Sequence, residues 1–282
     1  MGRTQDGAAY RRGSGLQAWR RMPRAAGRPR HRHLLDGWPQ VAKRLRAAKR
    51  VALFLDFDGT LAPLRHRPED VRLGSTTHRL LQRLARHPNL TVVVISGRER
   101  RDLIQCIKVS GLQYLGLHGL ERGGRGPLKS PTYRLLRRAK RSLAAGMAGL
   151  PDIWIEDKRL SFAVHYRGAT SATVREARRI LRETLIPLES VLRVLPGKKV
   201  WEVLLREAPD KGAAVADTLK GLPAGTLPIY LGDDTTDESA FALLRKGLTV
   251  RVGTLRGSTA RYKLRNPTEV KKFLERLEVE IS

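Results

Sequence analysis

The sequence predicts an α/β fold made of a Rossmann-like core, with a parallel β-sheet and helices on both faces, and an inserted α+β unit. Apolar runs of strand length, such as Val51–Leu55 and Leu90–Ile95, alternate with helical segments, as in parallel sheets that are covered on both faces. Between residues 126 and 207 the order changes to helix, two strands, helix, two strands. This change predicts a separate unit inserted into the core.

The elements of the predicted core follow one another in a regular order. Leu80, Leu81 and Leu84 lie on one side of the segment 76–85, which is the spacing of a helix that packs one face on a sheet. In the inserted unit, the alternation over 160–167 predicts a half-exposed antiparallel strand. The predicted core elements are helices over 34–48, 76–85, 98–107 and 268–277 and from 211 and 237, and strands over 51–55, 90–95, 114–117, 229–231 and 248–252.

These changes of pattern divide the sequence into four segments. Residues 1–33 carry nine arginines against one acid, Asp6, and lack apolar periodicity, so we expect a disordered basic tail. The first part of the core is expected over 34–125, the inserted α+β unit over 126–207 and the second part of the core over 208–282.

The composition limits the classes of function. The net charge of +28 raises nucleic-acid binding as an alternative, in which the basic tail would do the work. Aromatic residues make up 5% of the chain and do not interleave regularly with the basic ones, so we expect a solvated surface and no specific nucleic acid. No apolar run approaches the ~20 residues of a membrane span. The single cysteine, Cys106, suits a reducing compartment, and we expect a cytoplasmic protein.

A first acidic cluster follows the apolar strand 51–55. Asp56 and Asp58 stand two residues apart and Gly59 allows a tight turn, so both carboxylates face one pocket at the carboxyl end of the strand. Carboxylates this close repel each other, and a cation is needed to keep both ionised. Oxygen ligands and a phosphate substrate favour Mg²⁺.

A second acidic cluster follows the strand that ends at Leu231. Asp233, Asp234 and Asp237 lie within five residues of one another, again at the carboxyl end of a strand. A single acid at this place would be explained as a helix cap, but two such clusters about 175 residues apart are not. The two clusters together predict a metal-assisted reaction on phosphate.

Two smaller signals belong to the same edge of the sheet. Ser96 and Gly97 follow the strand that ends at Ile95, and they bring a hydroxyl and backbone amides. Lys211 begins a predicted helix, where a cation and a helix N-terminus together suit phosphate oxygens. We therefore predict that Ser96, Gly97 and Lys211 bind the phosphate.

In this order, the stretches that contain Asp56, Ser96, Lys211 and Asp233 resemble the four motifs of the haloacid dehalogenase superfamily of phosphotransferases. The sequence also resembles one branch, the trehalose-6-phosphate phosphatases, over about 45–275. The stretches that carry the second resemblance are 95–98, 116–121, 156–167, 210–212 and 232–238.

The resemblance implies a role for each motif residue. Asp56 would attack phosphorus and form an aspartyl phosphate, and Asp58 would protonate the leaving oxygen and then deprotonate water. Mg²⁺ would be held by Asp56, the backbone carbonyl of Asp58 and Asp233, with Asp234 and Asp237 nearby.

The inserted unit would be a cap that closes over the sugar. The residues expected to contact the sugar or its phosphate are Glu121, Glu156, Lys158, His165, Arg167 and Glu202. Members of the family follow the glutamate that matches Glu202 with a basic residue and proline, whereas this chain has Val203, Leu204 and Leu205.

The leading hypothesis is hydrolysis of trehalose 6-phosphate to trehalose and phosphate, by a monomer linked in function to a trehalose-6-phosphate synthase. Three alternatives remain open at this point: another sugar phosphate, such as sucrose phosphate or a glycosyl phosphoglycerate; a catalytically silent sensor; and nucleic-acid binding through the tail. Both acidic clusters are complete, which disfavours the silent sensor. They would repel nucleic acid unless a metal were bound, which disfavours the last alternative.

Overall fold

The computed structural model describes residues 32–65, 67–122, 131–254 and 257–281. The helices in these ranges are α1 (Trp38–Ala47), α2 (Ser75–Leu84), α3 (Arg100–Ile107), α4 (Pro131–Gly146), α5 (Ser171–Leu185), α6 (Lys211–Lys220), α7 (Glu238–Leu243) and α8 (Pro267–Ile281). The strands are β1 (Arg32–His33), β2 (Val51–Leu55), β3 (Leu90–Ile95), β4 (Gln113–Leu115), β5 (Trp154–Asp157), β6 (Ser161–His165), β7 (Leu192–Gly197), β8 (Val200–Leu205), β9 (Leu227–Gly232), β10 (Leu248–Val252) and β11 (Tyr262–Leu264). None of these helices is both long and apolar enough to cross a membrane.

The larger sheet has the order β1-β11-β10-β9-β2-β3-β4, and its neighbouring strands pair in parallel. Side chains alternate across the central strand β2: Leu53 and Leu55 pack in a core with α1, α2, α3 and α8, while Ala52 and Phe54 pack in a second core with α6 and α7. The prediction of a parallel sheet with helices on both faces is therefore confirmed.

The smaller sheet is antiparallel, in the order β5-β6-β8-β7. Helices α4 and α5 share one apolar core with it, to which Leu136, Phe162 and Leu181 belong. The predicted order of helix, two strands, helix, two strands is confirmed. The boundary expected near residue 126 lies outside the described residues.

Strand β6 differs from the prediction in its burial. We expected one of its faces to be exposed, yet all four residues from Ser161 to Val164 are buried. One face packs on α4 and α5, and on the other face the Ser161 hydroxyl donates to the buried Glu202. The expectation is wrong because a second layer, the core sheet's edge, covers the face with the polar residues.

The N-terminal part of the described chain also differs from the prediction. Residues 1–31 of the expected tail lie outside the described residues, but Arg32–His33 form β1, which pairs with β11. The His33 Nε2 atom is 2.8 Å from Glu269 Oε2, and Leu34 is fully buried. The sheet therefore includes the last two residues of the predicted tail. A strand of two residues has no periodicity by which the sequence could reveal it.

Three neighbouring strands end at one edge of the larger sheet and deliver polar residues there. Asp56 follows β2, Ser96 follows β3 and Asp233 follows β9. The Asp56 amide donates to the backbone oxygen of Leu231 at 2.9 Å, which fixes the loop after β2 against β9. The smaller sheet lies over this edge, where Lys158 Nζ donates to the Gly97 backbone oxygen at 3.0 Å.

Candidate active site

Asp56 lies at the bottom of a cavity between the two sheets. Its Oδ1 atom accepts a hydrogen bond from Lys211 Nζ at 2.7 Å, and the same ammonium group donates to Asp237 Oδ1 at 2.7 Å. Asp237 also accepts from the Tyr230 hydroxyl at 2.8 Å and from the Asp234 amide at 2.8 Å. Asp237 is thus a positioning residue for Lys211, which it holds against the nucleophilic candidate.

Burial and charge act in opposite directions on this pair. Burial raises the pKa of Asp56 well above its usual value; Lys211 opposes the rise, and Asp237 and Asp233 add to it. Burial lowers the pKa of Lys211, but its two carboxylate partners raise it well above the usual value. Lys211 therefore stays charged, whereas Asp56 needs further positive charge to ionise readily.

Asp233 lies beside Asp56 in a cradle that glycine makes. Gly59 has a φ of +88°, and a Cβ atom there would lie 2.2 Å from Asp233 Oδ2. Below the loop, the buried Arg251 donates to the backbone oxygens of Asp233 and Asp234. This guanidinium fixes the acidic loop from β10, a role that the sequence analysis did not foresee.

The arrangement of carboxylates fits a divalent cation. Oxygen atoms of Asp56, Asp233 and Asp237 lie within 4.8 Å of one another. The Oδ1 atom of Asp233 is buried and has no hydrogen-bond partner among the described residues. Burial raises the pKa of Asp233, which Lys198 only partly offsets. An unpaired buried oxygen among hard oxygen ligands is what Mg²⁺ would satisfy.

Asp234 lines the cavity, but its Oδ1 atom accepts from the Thr235 amide at 2.7 Å. It forms a capping box with Asp237 at the short 3₁₀ turn Thr235–Asp237. The explanation as a helix cap, which the sequence left for any single acid, thus describes these two residues, while Asp233 remains without such a role.

Asp58 is held by a guanidinium group from the next strand. Arg98 Nε and Nη2 donate to its two carboxylate oxygens at 2.7 and 2.6 Å, a bidentate pair that fixes the carboxyl group at the cavity wall. Ser96 and Gly97 line the same cavity. A Cβ atom on Gly97 would lie 3.0 Å from the ring of His118, so a side chain at this position would have to displace that ring.

The smaller sheet supplies a second polar cluster opposite Asp56. Glu202 Oε2 lies 2.6 Å from His118 Nε2, and its Oε1 atom accepts from Ser161 at 2.9 Å and lies 3.6 Å from Lys158 Nζ. Glu156 lies 2.8 Å from His165 Nε2, whose ring stacks on Trp154 with centroids 3.8 Å apart. The predicted contacts Glu156, Lys158, His165, Arg167 and Glu202 all line the cavity.

In this cluster the partners of Glu202 outweigh the effect of burial on its pKa, unlike the partners of Asp56. Burial would raise the pKa of Glu202, but Lys158 and His118 together lower it well below its usual range. Burial would likewise lower the pKa of Lys158, but Glu202 and Glu156 raise it. The cluster is therefore a fixed network of charged donors and acceptors, which suits the recognition of sugar hydroxyls.

Lys198 was not predicted and reaches the site from the turn between β7 and β8. Its ammonium group contacts Asp233 Oδ2, and the Arg167 guanidinium donates to its backbone oxygen at 3.2 Å. The Thr235 hydroxyl donates to the Pro196 backbone oxygen at 2.7 Å and joins the same turn to the acidic loop. The inserted unit thus brings a cation to a carboxylate of the core.

Two predicted site residues do not line the cavity, namely Glu121 and Asp237. Glu121 Oε2 accepts from the Arg100 amide at 2.6 Å, so the structure places it at the N-terminus of α3. The departure at Val203, Leu204 and Leu205 also stays out of the cavity, because these residues are buried in the core of the inserted unit.

Four further residues support the site without having been assigned a role from the sequence: Arg98, His118, Lys198 and Arg251. The first two stand inside the motif stretches 95–98 and 116–121, and this place in the sequence is a signal that could have identified them. His118 has a φ of +59°, and its amide donates to the Ser96 backbone oxygen at 2.9 Å. Lys198 and Arg251 carry no signal in the sequence, because lysines and arginines are abundant throughout this chain.

Comparison with known proteins gives independent evidence on the family of this chain. Residues 54–270 match the family model described as trehalose-phosphatase. A trehalose 6-phosphate phosphatase of Zea mays is 31% identical over 90% of this chain and 79% of that protein. The trehalose-phosphate phosphatase of Mycobacterium leprae is 33% identical over 83% of this chain, which spans only 59% of the length of that relative.

Among solved structures, the C-terminal domain of the Candida albicans trehalose-6-phosphate phosphatase has the same fold. It superposes with a TM-score of 0.78 at 21% identity and covers 89% of this chain and 100% of its own. Both the strand order and this superposition therefore confirm the predicted fold class. Because the family model covers most of the chain and the maize relative nearly all of it, this chain belongs to the trehalose-phosphatase family.

Proposed function

We propose that this protein hydrolyses trehalose 6-phosphate to trehalose and inorganic phosphate through an aspartyl phosphate on Asp56. The observation that carries the proposal is the pairing of two clusters across one cavity. On the core side, Asp56 contacts Lys211 and lies near Asp233; on the other side stands a network of sugar-type donors and acceptors around Glu202. Membership of the family supports the same substrate.

Residues of this chain account for the nucleophilic attack, for the contacts to the phosphoryl oxygens and for both proton transfers. Asp56 attacks phosphorus while Lys211, Ser96 and the Gly97 backbone hold the phosphoryl oxygens, and the P–O bond to the sugar breaks. Asp58 gives a proton to the departing sugar oxygen. It then takes one from the water that hydrolyses the aspartyl phosphate. Arg98 keeps its carboxyl group in place for both transfers.

Asp56, Asp233 and the backbone carbonyl of Asp58 would hold Mg²⁺, with Asp234 and Asp237 close by. The cation would offset the negative charge of the phosphoryl group and of the buried carboxylates. Its role fits the raised pKa of Asp56, since a neighbouring divalent charge favours the ionised nucleophile.

The test is phosphate release from a panel that contains trehalose 6-phosphate, sucrose 6-phosphate and a glycosyl phosphoglycerate, each with Mg²⁺ and with excess chelator. We expect trehalose 6-phosphate to be hydrolysed fastest, only with Mg²⁺, and Asp56→Asn to retain less than about a hundredth of the activity. Preference for another sugar would assign the protein to that substrate. Activity in the chelator, or in the Asn variant, would refute the mechanism.

We further infer that the protein acts as a cytoplasmic monomer beside an enzyme that supplies its substrate, a trehalose-6-phosphate synthase. The single cysteine and the complete cavity within one chain support this inference. The molar mass in solution at micromolar concentration tests the oligomeric state directly.

A further inference from the structure

A second cavity, of about 380 Å³, lies in the inserted unit between α5 and the edge strand β7. It shares no lining residue with the cavity above Asp56. Its polar lining consists of four arginines and a single acid, Glu189, and the arginines are Arg178, Arg182, Arg193 and Arg206. Neither the reaction proposed above nor the sugar-facing network uses any of these residues.

Three of the four arginines that line this cavity lack an acidic partner among the described residues. Within the described part of the chain, Arg178, Arg193 and Arg206 form no ion pair with an acidic side chain. Arg179, the neighbour of Arg178 on α5, differs: it pairs with Glu176 and Glu183 at 2.6 and 2.7 Å. Arg178 therefore differs from its neighbour Arg179, whose charge is offset by two glutamates on the same helix.

Arg193 shows the lack of a partner most clearly. Its Nη2 atom donates to the backbone oxygen of Ala208, but its Nε atom is buried without a hydrogen-bond partner in the described structure. Burial lowers the pKa of Arg193, with Asp210 opposing and Arg206 adding to the effect. A buried donor on a cation carries a desolvation cost that an anion would remove, because charge-assisted hydrogen bonds are stronger than neutral ones.

The rest of the cavity wall is apolar. Leu192 and Trp201 are nearly buried beneath it, and the guanidinium of Arg178 lies 5.5 Å from the centre of the Trp201 ring. Ile186 is 47% exposed at the cavity's side. An inorganic anion would leave the exposed Ile186 side chain uncovered, whereas an organic anion would cover it.

We propose that this cavity is a binding site for a small amphiphilic anion, with a phosphate, sulfonate or carboxylate group on the arginines and a short apolar group against Ile186 and Trp201. The acid group is placed by the guanidinium groups of Arg193 and Arg178, both of which line the cavity. The four arginines outnumber the single carboxylate of Glu189, so the cavity favours anionic over cationic ligands.

The test is calorimetric titration of the full chain with octanesulfonate, a non-hydrolysable amphiphilic anion, at physiological salt. Excess trehalose, the neutral product of the proposed reaction, is present to occupy the catalytic cavity. We expect one saturable site, and no measurable binding of octanol. Arg193→Gln and, separately, Arg178→Gln should weaken binding about tenfold, the loss expected for a charge-assisted hydrogen bond. Arg178 provides the second variant in case the half-buried Arg193 is needed for folding.

Arg179→Gln is the matched control, because it removes a guanidinium from the same helix but not from the cavity. Its affinity should stay within about twofold of the unmodified protein. Equal losses in Arg178→Gln and Arg179→Gln would show nonspecific attraction to a basic surface and overturn the proposal. Absence of saturable binding by the unmodified protein would overturn it as well.

Discussion

Single residues of the site divide into two electrostatic groups that face each other. Asp56 and Asp233 have raised pKa values because burial and neighbouring carboxylates outweigh Lys211 and Lys198. Glu202, buried as deeply, has a lowered pKa because Lys158, His118 and the Ser161 hydroxyl surround its carboxylate. The first group needs an added cation to ionise, whereas the second is complete without one. This difference separates the expected metal side of the cavity from the expected sugar side.

The lowered pKa of Glu202 predicts a pH-dependent contribution to stability. A carboxylate whose folded pKa lies below its unfolded value stabilises the fold above about pH 4.3, the unfolded value, and loses this contribution as pH falls toward the folded pKa. Glu202→Gln should lower the free energy of unfolding by about 3 kcal/mol at pH 7, since it leaves Lys158 and His118 facing a neutral group. The difference between the two proteins should shrink below about pH 4.3.

Urea unfolding followed by tryptophan fluorescence from pH 7 down to about pH 3.5 would measure this difference. Glu275→Gln is the control, since the Glu275 side chain is 45% exposed on α8 and its ion pair with Lys271, at 3.5 Å, lies at the surface. It should change stability by less than about 0.5 kcal/mol at either pH. A Glu202→Gln effect that is the same at pH 7 and pH 3.5 would mean that packing, not charge, is lost.

At the scale of elements, the strands β5, β6 and β8 present the sugar-side network, and the turn that follows β7 presents Lys198. The strands contact the core through Lys158 and Glu202, which reach Gly97 and His118. The turn contacts the acidic loop through Lys198 and the Pro196 backbone. The contacts between the inserted unit and the core therefore form both sides of the cavity together.

The position of Lys158 and His165 on the inserted unit predicts that their loss affects a sugar phosphate more than a small aryl phosphate. Lys158→Ala and His165→Ala should each slow hydrolysis of trehalose 6-phosphate at least about tenfold, because binding energy from the sugar is used in the transition state. Hydrolysis of a small aryl phosphate should change less than about twofold, since it reaches Asp56 without these contacts. Comparison of kcat/KM for the two substrates measures the split.

Lys140→Ala is the control for this prediction. Lys140 lies on α4 and pairs with Asp157 at the end of β5, but it does not line the cavity. It should leave both activities unchanged. If Lys158→Ala slows both substrates equally, then Lys158 supports the structure of the site and does not select the sugar.

The turn predicts an effect on metal affinity. The Lys198 ammonium contacts the carboxylate of Asp233, so a metal ion must compete with it. Lys198→Met should tighten the binding of Mg²⁺, in the absence of substrate, about fivefold, which corresponds to about 1 kcal/mol for a partly exposed ion pair. Titration calorimetry with Mg²⁺ would measure the change.

The adjacent Lys199 provides the control, because it stands on the same turn and makes no ion pair with Asp233 in the described structure. Lys199→Met should bind Mg²⁺ as the unmodified protein does. Equal tightening in both variants would assign the effect to the general charge of the turn. An unchanged affinity in Lys198→Met would mean that the contact with Asp233 does not compete with the metal.

At the scale of the whole molecule, a chain with a large positive net charge encloses two clusters of carboxylates in one cavity. The net charge is +28, and residues 1–31 contribute eight arginines and one acid. The described fold begins with β1, which adds an edge strand to the larger sheet and contacts α8 through His33 and Glu269. The basic N-terminal residues and the site are thus separate parts of the chain, since every predicted catalytic residue lies beyond position 50.

Deletion of residues 1–31 should therefore leave kcat/KM for phosphate release within about twofold. It should weaken nonspecific binding to duplex DNA at low salt, and the intact protein should bind DNA negligibly near physiological salt. The salt dependence of such binding is about −0.9 per phosphate contacted on a log–log scale. Fluorescence anisotropy with labelled DNA over a range of salt measures both effects.

A deletion of residues 1–33 is the informative comparison, because it also removes β1. It should lower the melting temperature relative to the shorter deletion, since the pairing with β11 and the contact with Glu269 are lost. Tight, sequence-dependent DNA binding that persists at physiological salt and disappears with residues 1–31 would contradict the role given to this segment.

Three features could be predicted from the sequence: the parallel core, the inserted α+β unit and the residues that meet at one edge of the sheet. These follow from local periodicity and from the rule that parallel strands end at the same edge, both of which are visible in neighbouring residues. Asp56, Ser96 and Asp233 were therefore found from the strands that precede them. Only the tertiary structure decided which partners surround them.

The structure alone revealed Lys198 on Asp233, Arg251 beneath the acidic loop and the burial of both faces of β6. Each depends on a contact between segments that are far apart in the chain or on a second layer that covers a polar face. The same holds for Glu121, whose carboxylate accepts from the N-terminus of α3 and not from the cavity. In a chain with 55 lysines and arginines, composition cannot mark the few whose positions are fixed by such contacts.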